Sequence, residues 1–170
     1  MSMIGNFAAA NDEQIAALLD EPDEITSFLD GAYDTGDGGR RRGGLRHIDI
    51  DKAWHAIHFL LTGDAWAGPA PLDFIIRGGD EVGDVDVGYG PARAFTSAQV
   101  RALAAALAPI DRATLLARWD ADAFRAADIY GVDPAGSAEE NAYVGSHFDD
   151  LKAFVAGLAR DGLGLIVYCC

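Results

Sequence analysis

The sequence predicts an α+β fold, a single compact domain spanning residues 1–170 in which several helices pack on a small mixed sheet. The chain has 170 residues, which is an ordinary size for one domain. Hydrophobic residues make up 50% of it and charged residues 24%, a composition typical of globular proteins. Helical and strand patterns follow one another without the regular β–α–β alternation of parallel sheets, and this favours the α+β class.

The beginning of the chain predicts one strand and two helices. A short, partly apolar segment at 4–8 is interpreted as a strand. Asn11 and Gln14 have the spacing of a capping box, and apolar residues at helical spacing follow them. Pro22 suits the first turn of a second helix, which Gly31 is expected to end.

The middle of the chain predicts a strong helix over 51–62, ended by Gly63. The segment 71–77 has apolar residues at i, i+3 and i+4, which predicts a short helix, with a strand as the alternative. The Gly/Asp-rich segment 80–91 is predicted to be a loop, and 92–95 a short strand.

The last third of the chain predicts three helices and a terminal strand. Two capping boxes mark helix starts, one at Thr96 and Gln99 and one at Ser137 and Glu140. Between them a helical pattern covers 111–127, with a break expected near Trp119 and Asp120. Gly162 is expected to end the last helix, and 163–168 reads as a buried strand.

The excess of acidic residues restricts the kinds of partner that the protein can bind. The formal net charge is −14, and a surface this acidic repels nucleic-acid phosphates and anionic membranes. Such a charge either serves solubility or steers in a basic protein. Positive charge is concentrated in one place, the triplet 40–42 within the glycine-rich segment 31–46, which is interpreted as a surface loop or as an anion clamp or lid.

The sequence also predicts a cytoplasmic location. Residues 1–11 have no basic region followed by a long apolar stretch, which argues against a signal peptide. The apolar stretches are shorter than the roughly 20 residues that cross a bilayer. Cys169 and Cys170 are adjacent, so they form neither a disulfide framework nor a metal-ligand spacing, as expected in a reducing compartment.

One candidate site lies on the predicted helix 51–62. Asp51, His55, His58 and Thr62 fall in one stripe at spacings of i, i+4, i+7 and i+11. A carboxylate one turn from an imidazole can orient it and stabilise its charge, as in general bases. The alternative is a hydrogen-bonded boundary of the core. No third ligand accompanies the histidine pair, so we expect no metal and no cofactor.

The second candidate site is the turn 88–93, which carries Tyr89 and Arg93. Glycines on both sides of Tyr89 allow a sharp turn, and Arg93 could bind a carboxylate or phosphate. The spacing matches neither a dinucleotide fingerprint nor a P-loop. The alternative is a structural turn in which Arg93 pairs with one of the acidic residues at 80–86.

Several segments together resemble the bacterial YfbM-like family. The most specific are 51–54 and 58–63, and others are 3–5, 45–50, 88–93, 128–130 and the closing stretch around 148–164. This family is a domain of unknown function with an α+β fold, so the resemblance implies that fold, one domain and a cytoplasmic location, and it implies no reaction. The chain departs from the family pattern in its Gly/Arg-rich loop 36–44 and in its two terminal cysteines.

Two functions follow as expectations. The first is a non-catalytic binding or interaction module whose partner is a basic protein or a small anionic ligand, and it rests on the acidic charge and the lack of a complete catalytic pattern. The alternative is a small enzyme or small-ligand binder. In it, His58 is the acid or base, Asp51 orients it and Arg93 anchors an anion.

Overall fold

The structure is a computed structural model that describes residues 2–33 and 45–170. The arginine triplet at 40–42, which the sequence offers as an anion clamp or lid, lies outside the described residues. The two candidate sites lie within them.

Five strands form one sheet in the order β2-β1-β5-β4-β3. Each neighbouring pair is antiparallel, so the predicted mixed sheet is corrected to an antiparallel one. Strand direction depends on the path of the chain between strands, which alternation within a strand does not encode. The strands are β1 Gly5–Ala10, β2 His47–Asp49, β3 Asp80–Asp86, β4 Pro91–Phe95 and β5 Gly164–Cys169.

Seven α-helices are found in the described residues, and the α+β fold class is confirmed. Single 3-10 turns at Pro22–Glu24 and Asp51–Ala53 lead into the second and third of them. The helices are α1 Asp12–Asp20, α2 Ile25–Tyr33, α3 Trp54–Thr62, α4 Ser97–Leu107, α5 Arg112–Leu116, α6 Ala121–Ala126 and α7 Ala138–Arg160.

The helix starts follow the local capping chemistry. Both halves of a capping box are present at Asn11 with Gln14 and at Thr96 with Gln99, as predicted. The helical pattern over 111–127 is divided into α5 and α6, because the side chain of Asp120 accepts from two backbone N–H groups and so begins a new helix.

Two predicted segments differ from the structure. Residues 80–91 were predicted to be a loop, but Asp80–Asp86 forms edge strand β3, where charged residues are tolerated because the outer side faces no further strand. Residues 71–77 form hydrogen-bonded turns rather than a helix or a strand. Gly78 and Gly79 follow with φ of 72° and 68°, which ends the helical path before it is established.

Helices cover both faces of the sheet. Phe7, Phe95 and Val167 point to the larger core, which α3, α4 and α7 complete. Ala8 and Ile166 point to the smaller core under α1 and α2. Within the described ranges, no helix is both long and apolar enough to cross a membrane.

Candidate functional site

A cavity of about 180 Å³ opens at one end of the sheet, on the face that carries α3. It lies where β1 and β4 begin and β5 ends, since Gly5 pairs with Cys169 and Arg93 with Val167. The turns at 71–77 close one side, and Phe74 packs on Phe7 with ring centroids 6.1 Å apart. The lining side chains are mostly apolar and include Met3, Phe7, Trp54, Trp66, Ile75, Ile76, Tyr89, Arg93, Val167 and Cys169.

Two exposed aromatic side chains form the rim of this cavity. Trp66 is 53% exposed and Tyr89 is 43% exposed, and in the described part of the chain they are the exposed large hydrophobic side chains. Both line the same cavity, although they are 23 positions apart in the sequence. Exposed aromatic residues grouped at a concave surface mark an interaction site more often than scattered ones do.

The backbone that carries Trp66 is held by side chains at three successive carbonyl groups. The carbonyls of residues 65, 66 and 67 accept hydrogen bonds from His55 Nε2 at 3.0 Å, Arg77 Nε at 2.9 Å and His58 Nε2 at 3.0 Å. A loop whose carbonyls are all engaged by side chains loses little conformational freedom when a partner binds. Trp66 is therefore presented on a fixed backbone.

The amide side of the same loop is fixed by Asp64. Its Oδ1 accepts hydrogen bonds from the backbone N–H groups of Trp66 and Ala67, both at 2.8 Å. These two donors lower the pKa of the Asp64 carboxyl. The carboxylate is exposed and lies two residues before the exposed tryptophan, so it places negative charge beside the rim.

His55 supports the aromatic wall from behind. Its Nδ1 accepts the N–H of Tyr130 at 2.9 Å, so Nε2 carries the proton that is donated to the carbonyl of Ala65. Its ring stacks on Trp54 at 4.8 Å and contacts Trp66 at 4.6 Å between centroids. Burial lowers the pKa of His55, which keeps it neutral.

His58 lies deeper and does not line the cavity. It is 0% exposed, and its Nδ1 has no hydrogen-bond partner among the described residues. Burial lowers the pKa of His58 to about 4. His58 is therefore out of contact with the cavity, and its role as an acid or base stays a prediction.

The Tyr89 turn is built in the same way as the Trp66 loop. Asp86 Oδ1 accepts from the N–H groups of Gly88 at 2.8 Å and Gly90 at 3.0 Å. Tyr89 donates its own N–H to the carbonyl of Cys169 at 3.0 Å. Gly88 has φ 145°, and a Cβ there would lie 2.7 Å from the Cα of Cys170, so the glycine is required for this close packing.

Arg93 lines the cavity, but its terminal nitrogens are engaged with the backbone. Nη1 donates to the carbonyls of Arg77 and Gly78, and Nη2 to those of Phe74 and Ile75. Burial lowers the pKa of Arg93 to about 10, so it stays charged at neutral pH. No ion pair within the described residues joins Arg93 to an acidic residue of 80–86, although the charge of Glu81 acts to raise the pKa of Arg93. Its Nε–H donates to no carbonyl of the described residues.

Asp51 faces α7 and is not part of the cavity. Its Oδ2 accepts a hydrogen bond from the Tyr143 hydroxyl at 3.0 Å. Burial, together with this bond, raises the pKa of Tyr143 to about 12. The structure thus brings Tyr89 and Arg93 together at the cavity, places His55 behind its wall, and separates Asp51 and His58 from it.

Trp66 and Arg77 are not among the site residues predicted from the sequence. A signal for Trp66 was present, because it stands in the segment 63–71, which is rich in Gly, Ala and Pro and has no helical or strand periodicity to bury a tryptophan. An Asp two residues before it is typical of a side-chain-capped turn. Arg77 had no such signal, since its contact with residue 66 depends on the tertiary fold.

In residues 2–33 and 45–170, no group of three or more His, Cys, Asp or Glu side chains is arranged to hold a metal ion. The absence of a bound metal or cofactor stays a prediction.

Comparison with known proteins identifies the family. The family described as "Domain of unknown function (DUF1877)" matches residues 1–168. The chain belongs to this DUF1877 family. The predicted YfbM-like resemblance is confirmed, because Protein YfbM of Escherichia coli (strain K12) is 39% identical to this DUF1877 chain over 77 residues. That alignment covers 45% of this chain and 41% of YfbM, so it spans less than half of the relative's length.

The fold of this DUF1877 chain is also found in a solved structure. The crystal structure of YfbM from Escherichia coli, a protein of unknown function, superposes with a TM-score of 0.72. The match covers 98% of this chain and 99% of that one at 23% identity. At this identity the likeness shows the shared fold and carries no conclusion about activity.

Proposed function

We propose that this protein is a non-catalytic binding module that holds a basic protein segment at the cavity rimmed by Trp66 and Tyr89. The observation that carries this proposal is the loop of Trp66. Its three successive carbonyls and two of its amides are engaged by side chains, while the tryptophan itself is half exposed. A rigid backbone that displays a tryptophan suits recognition, and tryptophan and tyrosine are frequent hot spots of interfaces.

The charge distribution supports a basic partner. The formal net charge is −14, and the two exposed carboxylates of Asp64 and Asp86 stand beside Trp66 and Tyr89. A negative field increases the association rate of a cationic partner and repels an anionic one. Lysine and arginine side chains can also lie over the aromatic faces while their charge meets the carboxylates.

The test is a capture experiment with purified protein and cell extract at about 50 mM and about 500 mM salt. We expect a partner with a basic segment to bind at low salt and to be released at high salt, since screening weakens steered complexes. Trp66→Ala and Tyr89→Ala should each reduce capture at low salt. Glu13→Ala removes a carboxylate from the exposed side of α1 and is the matched control for nonspecific charge attraction.

Two results would contradict the proposal. One is that no basic partner is retained at low salt. The other is that the captured proteins are the same, in the same amounts, for the wild type and for both aromatic variants. In that second case the attraction is a property of the whole acidic surface rather than of the cavity.

A small-ligand binder, with or without catalytic activity, is the second candidate. The observation that favours it is the position of Arg93 in the cavity wall with its Nε–H directed to no carbonyl among the described residues. A thermal-shift screen with small carboxylates and phosphates tests it, because a ligand that binds the native state raises the unfolding midpoint. A shift that Tyr89→Ala abolishes would favour this candidate over the protein partner.

We also propose the cytoplasm as the location of the protein. The support is the pair of adjacent cysteines, Cys169 at the end of β5 and Cys170 after it, neither of which forms a disulfide within the described residues. Measuring the protein in cytoplasmic and other cell fractions tests this point.

A further inference from the structure

We infer that the cavity is a subsite for one uncharged, apolar side chain of the partner, and that basic residues on either side of that chain lie on the aromatic rim. This inference rests on the proposed function and specifies the sequence that the module recognises. It predicts a segment in which a residue such as phenylalanine or leucine is flanked by lysine or arginine.

The size of the cavity sets the size of the occupant. Its volume is about 180 Å³. An apolar protein cavity of roughly 150 Å³ is enough to hold a benzene molecule, so this one has room for a single ring or one branched aliphatic chain. The deep walls are apolar, because Phe7, Trp54, Ile75 and Val167 are all buried side chains of the larger core.

A cation does not suit the interior of the cavity. The guanidinium of Arg93 lies in the wall and is anchored by four backbone carbonyls, so it cannot turn away to make room for a second positive charge. Its pKa of about 10 keeps it charged at neutral pH. Two like charges inside one apolar cavity destabilise each other more strongly than they do in water.

An anion does not suit the interior either. The same four hydrogen bonds use both terminal nitrogens of Arg93, which removes the fork that binds a carboxylate or phosphate in two places. Cys169 adds no charge, because burial raises the pKa of its thiol to about 11. An uncharged side chain therefore fits the interior better than an ion of either sign.

The rim of the cavity, unlike its interior, suits a positively charged side chain. Trp66 and Tyr89 present exposed ring surfaces, and Asp64 and Asp86 hold an exposed carboxylate in the turn that carries each ring. Each carboxylate is held by two backbone N–H groups of its own turn. A lysine or arginine stem on the ring, with its charge near the carboxylate, satisfies both features.

A peptide panel tests the inference. Five capped pentapeptides, Lys-Lys-X-Lys-Lys with X as Phe, Leu, Ala, Lys or Glu, are titrated into the protein by calorimetry at about 150 mM salt. We expect the Phe or Leu peptide to bind about tenfold or more tightly than the Ala, Lys and Glu peptides, as burial of a large apolar side chain implies. Equal affinities, a preference for Lys or Glu, or no binding by any peptide overturns the inference.

A variant pair locates the effect in the cavity. Cys169→Phe fills the space from the end of β5, while Cys169→Ala leaves it open and removes the thiol. We expect Cys169→Phe to abolish the preference for Phe and Leu, and Cys169→Ala to retain it. If Cys169→Phe does not fold, Ile76→Phe fills the cavity from the side of the turns at 71–77, and Ile76→Leu is its control.

The results separate this inference from the proposed function. If Trp66→Ala still reduces capture of a basic partner but the peptides show no preference at X, the subsite is wrong and the binding module stands. If Trp66→Ala changes neither capture nor peptide affinity, both are wrong. If the cavity-filling variants keep the full preference for Phe and Leu, the apolar side chain binds elsewhere.

Discussion

His55 and His58 both donate hydrogen bonds to the backbone. Each uses Nε2–H to hold a carbonyl next to Trp66, one on each side of it. The spacing of i and i+3 on α3 places both rings on the side of the helix that faces this loop. These contacts match the predicted alternative of a hydrogen-bonded boundary of the core, and the catalytic role of His58 stays a prediction.

The depressed pKa of His58 makes stability depend on pH. Its pKa is about 4 in the folded protein against the ordinary 6.5, so the unfolded chain binds a proton more readily. Folding loses stability as pH falls below about 6.5, and the loss from this residue is complete below about 4. It amounts to about 3.5 kcal/mol, since the pKa falls from 6.5 to about 4 and one pKa unit corresponds to about 1.4 kcal/mol.

We therefore expect His58→Gln, which keeps a donor for the carbonyl of Ala67, to flatten the pH dependence of the free energy of unfolding between pH 7 and pH 4. Denaturant titrations of the wild type and the variant measure it. Carboxylates also contribute to acid unfolding, but they contribute equally to both proteins, so the difference between the two curves isolates His58. Parallel curves would show that the imidazole is not held neutral by burial.

Several cationic side chains of this acidic protein donate to backbone carbonyls. Arg93 binds four carbonyls at the end of the turns 71–78, and Arg118 donates to the last turn of α3 at Leu60. Lys152 donates to the carbonyls of Ala108 and Ile110 after α4. A charged donor at the carbonyl end of a helix or turn satisfies groups that have no partner in their own segment.

At the scale of elements, the Trp66 loop is a short turn whose order comes from its surroundings. Its own sequence, rich in small residues, has little preference for one conformation. Three carbonyl contacts come from α3 and Arg77, and the two amide contacts come from Asp64. Removing one contact should loosen the loop without unfolding the protein.

Asp64→Ala tests this statement. The N–H groups of Trp66 and Ala67 lose their acceptor, so we expect faster hydrogen exchange at these two amides, measured by NMR, and unchanged exchange in the core strands. Affinity for the partner or the Phe peptide should fall roughly three- to tenfold, because the tryptophan must then be ordered on binding.

Asp120→Ala is the matched control. Asp120 also accepts two backbone N–H groups, those of Asp122 and Ala123, but it begins α6 and does not line the cavity. It should leave exchange at Trp66 and the affinity unchanged. Equal loss of affinity in both variants would mean that general destabilisation, rather than the order of the Trp66 loop, sets binding.

At the scale of the whole molecule, the excess of negative charge acts on stability as well as on partners. With a formal net charge of −14, the compact state brings like charges closer together than the unfolded chain does. The described ion pairs offset this at only a few surface positions, such as Arg112 with Asp149. Screening by salt should therefore favour the folded state.

We expect the unfolding midpoint to rise by about 2–5 °C between roughly 20 mM and 500 mM sodium chloride, measured by calorimetry. Choline chloride at the same ionic strength is the control, because it screens charge without offering a small metal cation. A rise with sodium but not with choline would indicate specific ion binding. A fall of the unfolding midpoint with both salts would show that the attraction within ion pairs outweighs the repulsion between like charges.

The sequence by itself determined the features that are decided within a few residues. Capping boxes join residues three apart, so the starts of α1 and α4 could be read directly, and Gly63 with φ 79° ends α3 where predicted. The net charge, the α+β class and the family resemblance likewise needed no coordinates. Tyr89 and Arg93 were identified as neighbours of one site because a single turn joins them.

Only the tertiary structure decided which residues share the cavity. The pairing of β1 with β5 brings Phe7 next to Val167, 160 positions away, and the cavity opens at the end of that pair. Trp66 lies at the rim on a fixed backbone because side chains of α3 and Arg77 bind the carbonyls at 65–67. Asp51 instead contacts Tyr143 of α7, and His58 is buried in the core, so neither side chain lines the cavity. Such contacts depend on the path of the whole chain, which no local pattern encodes.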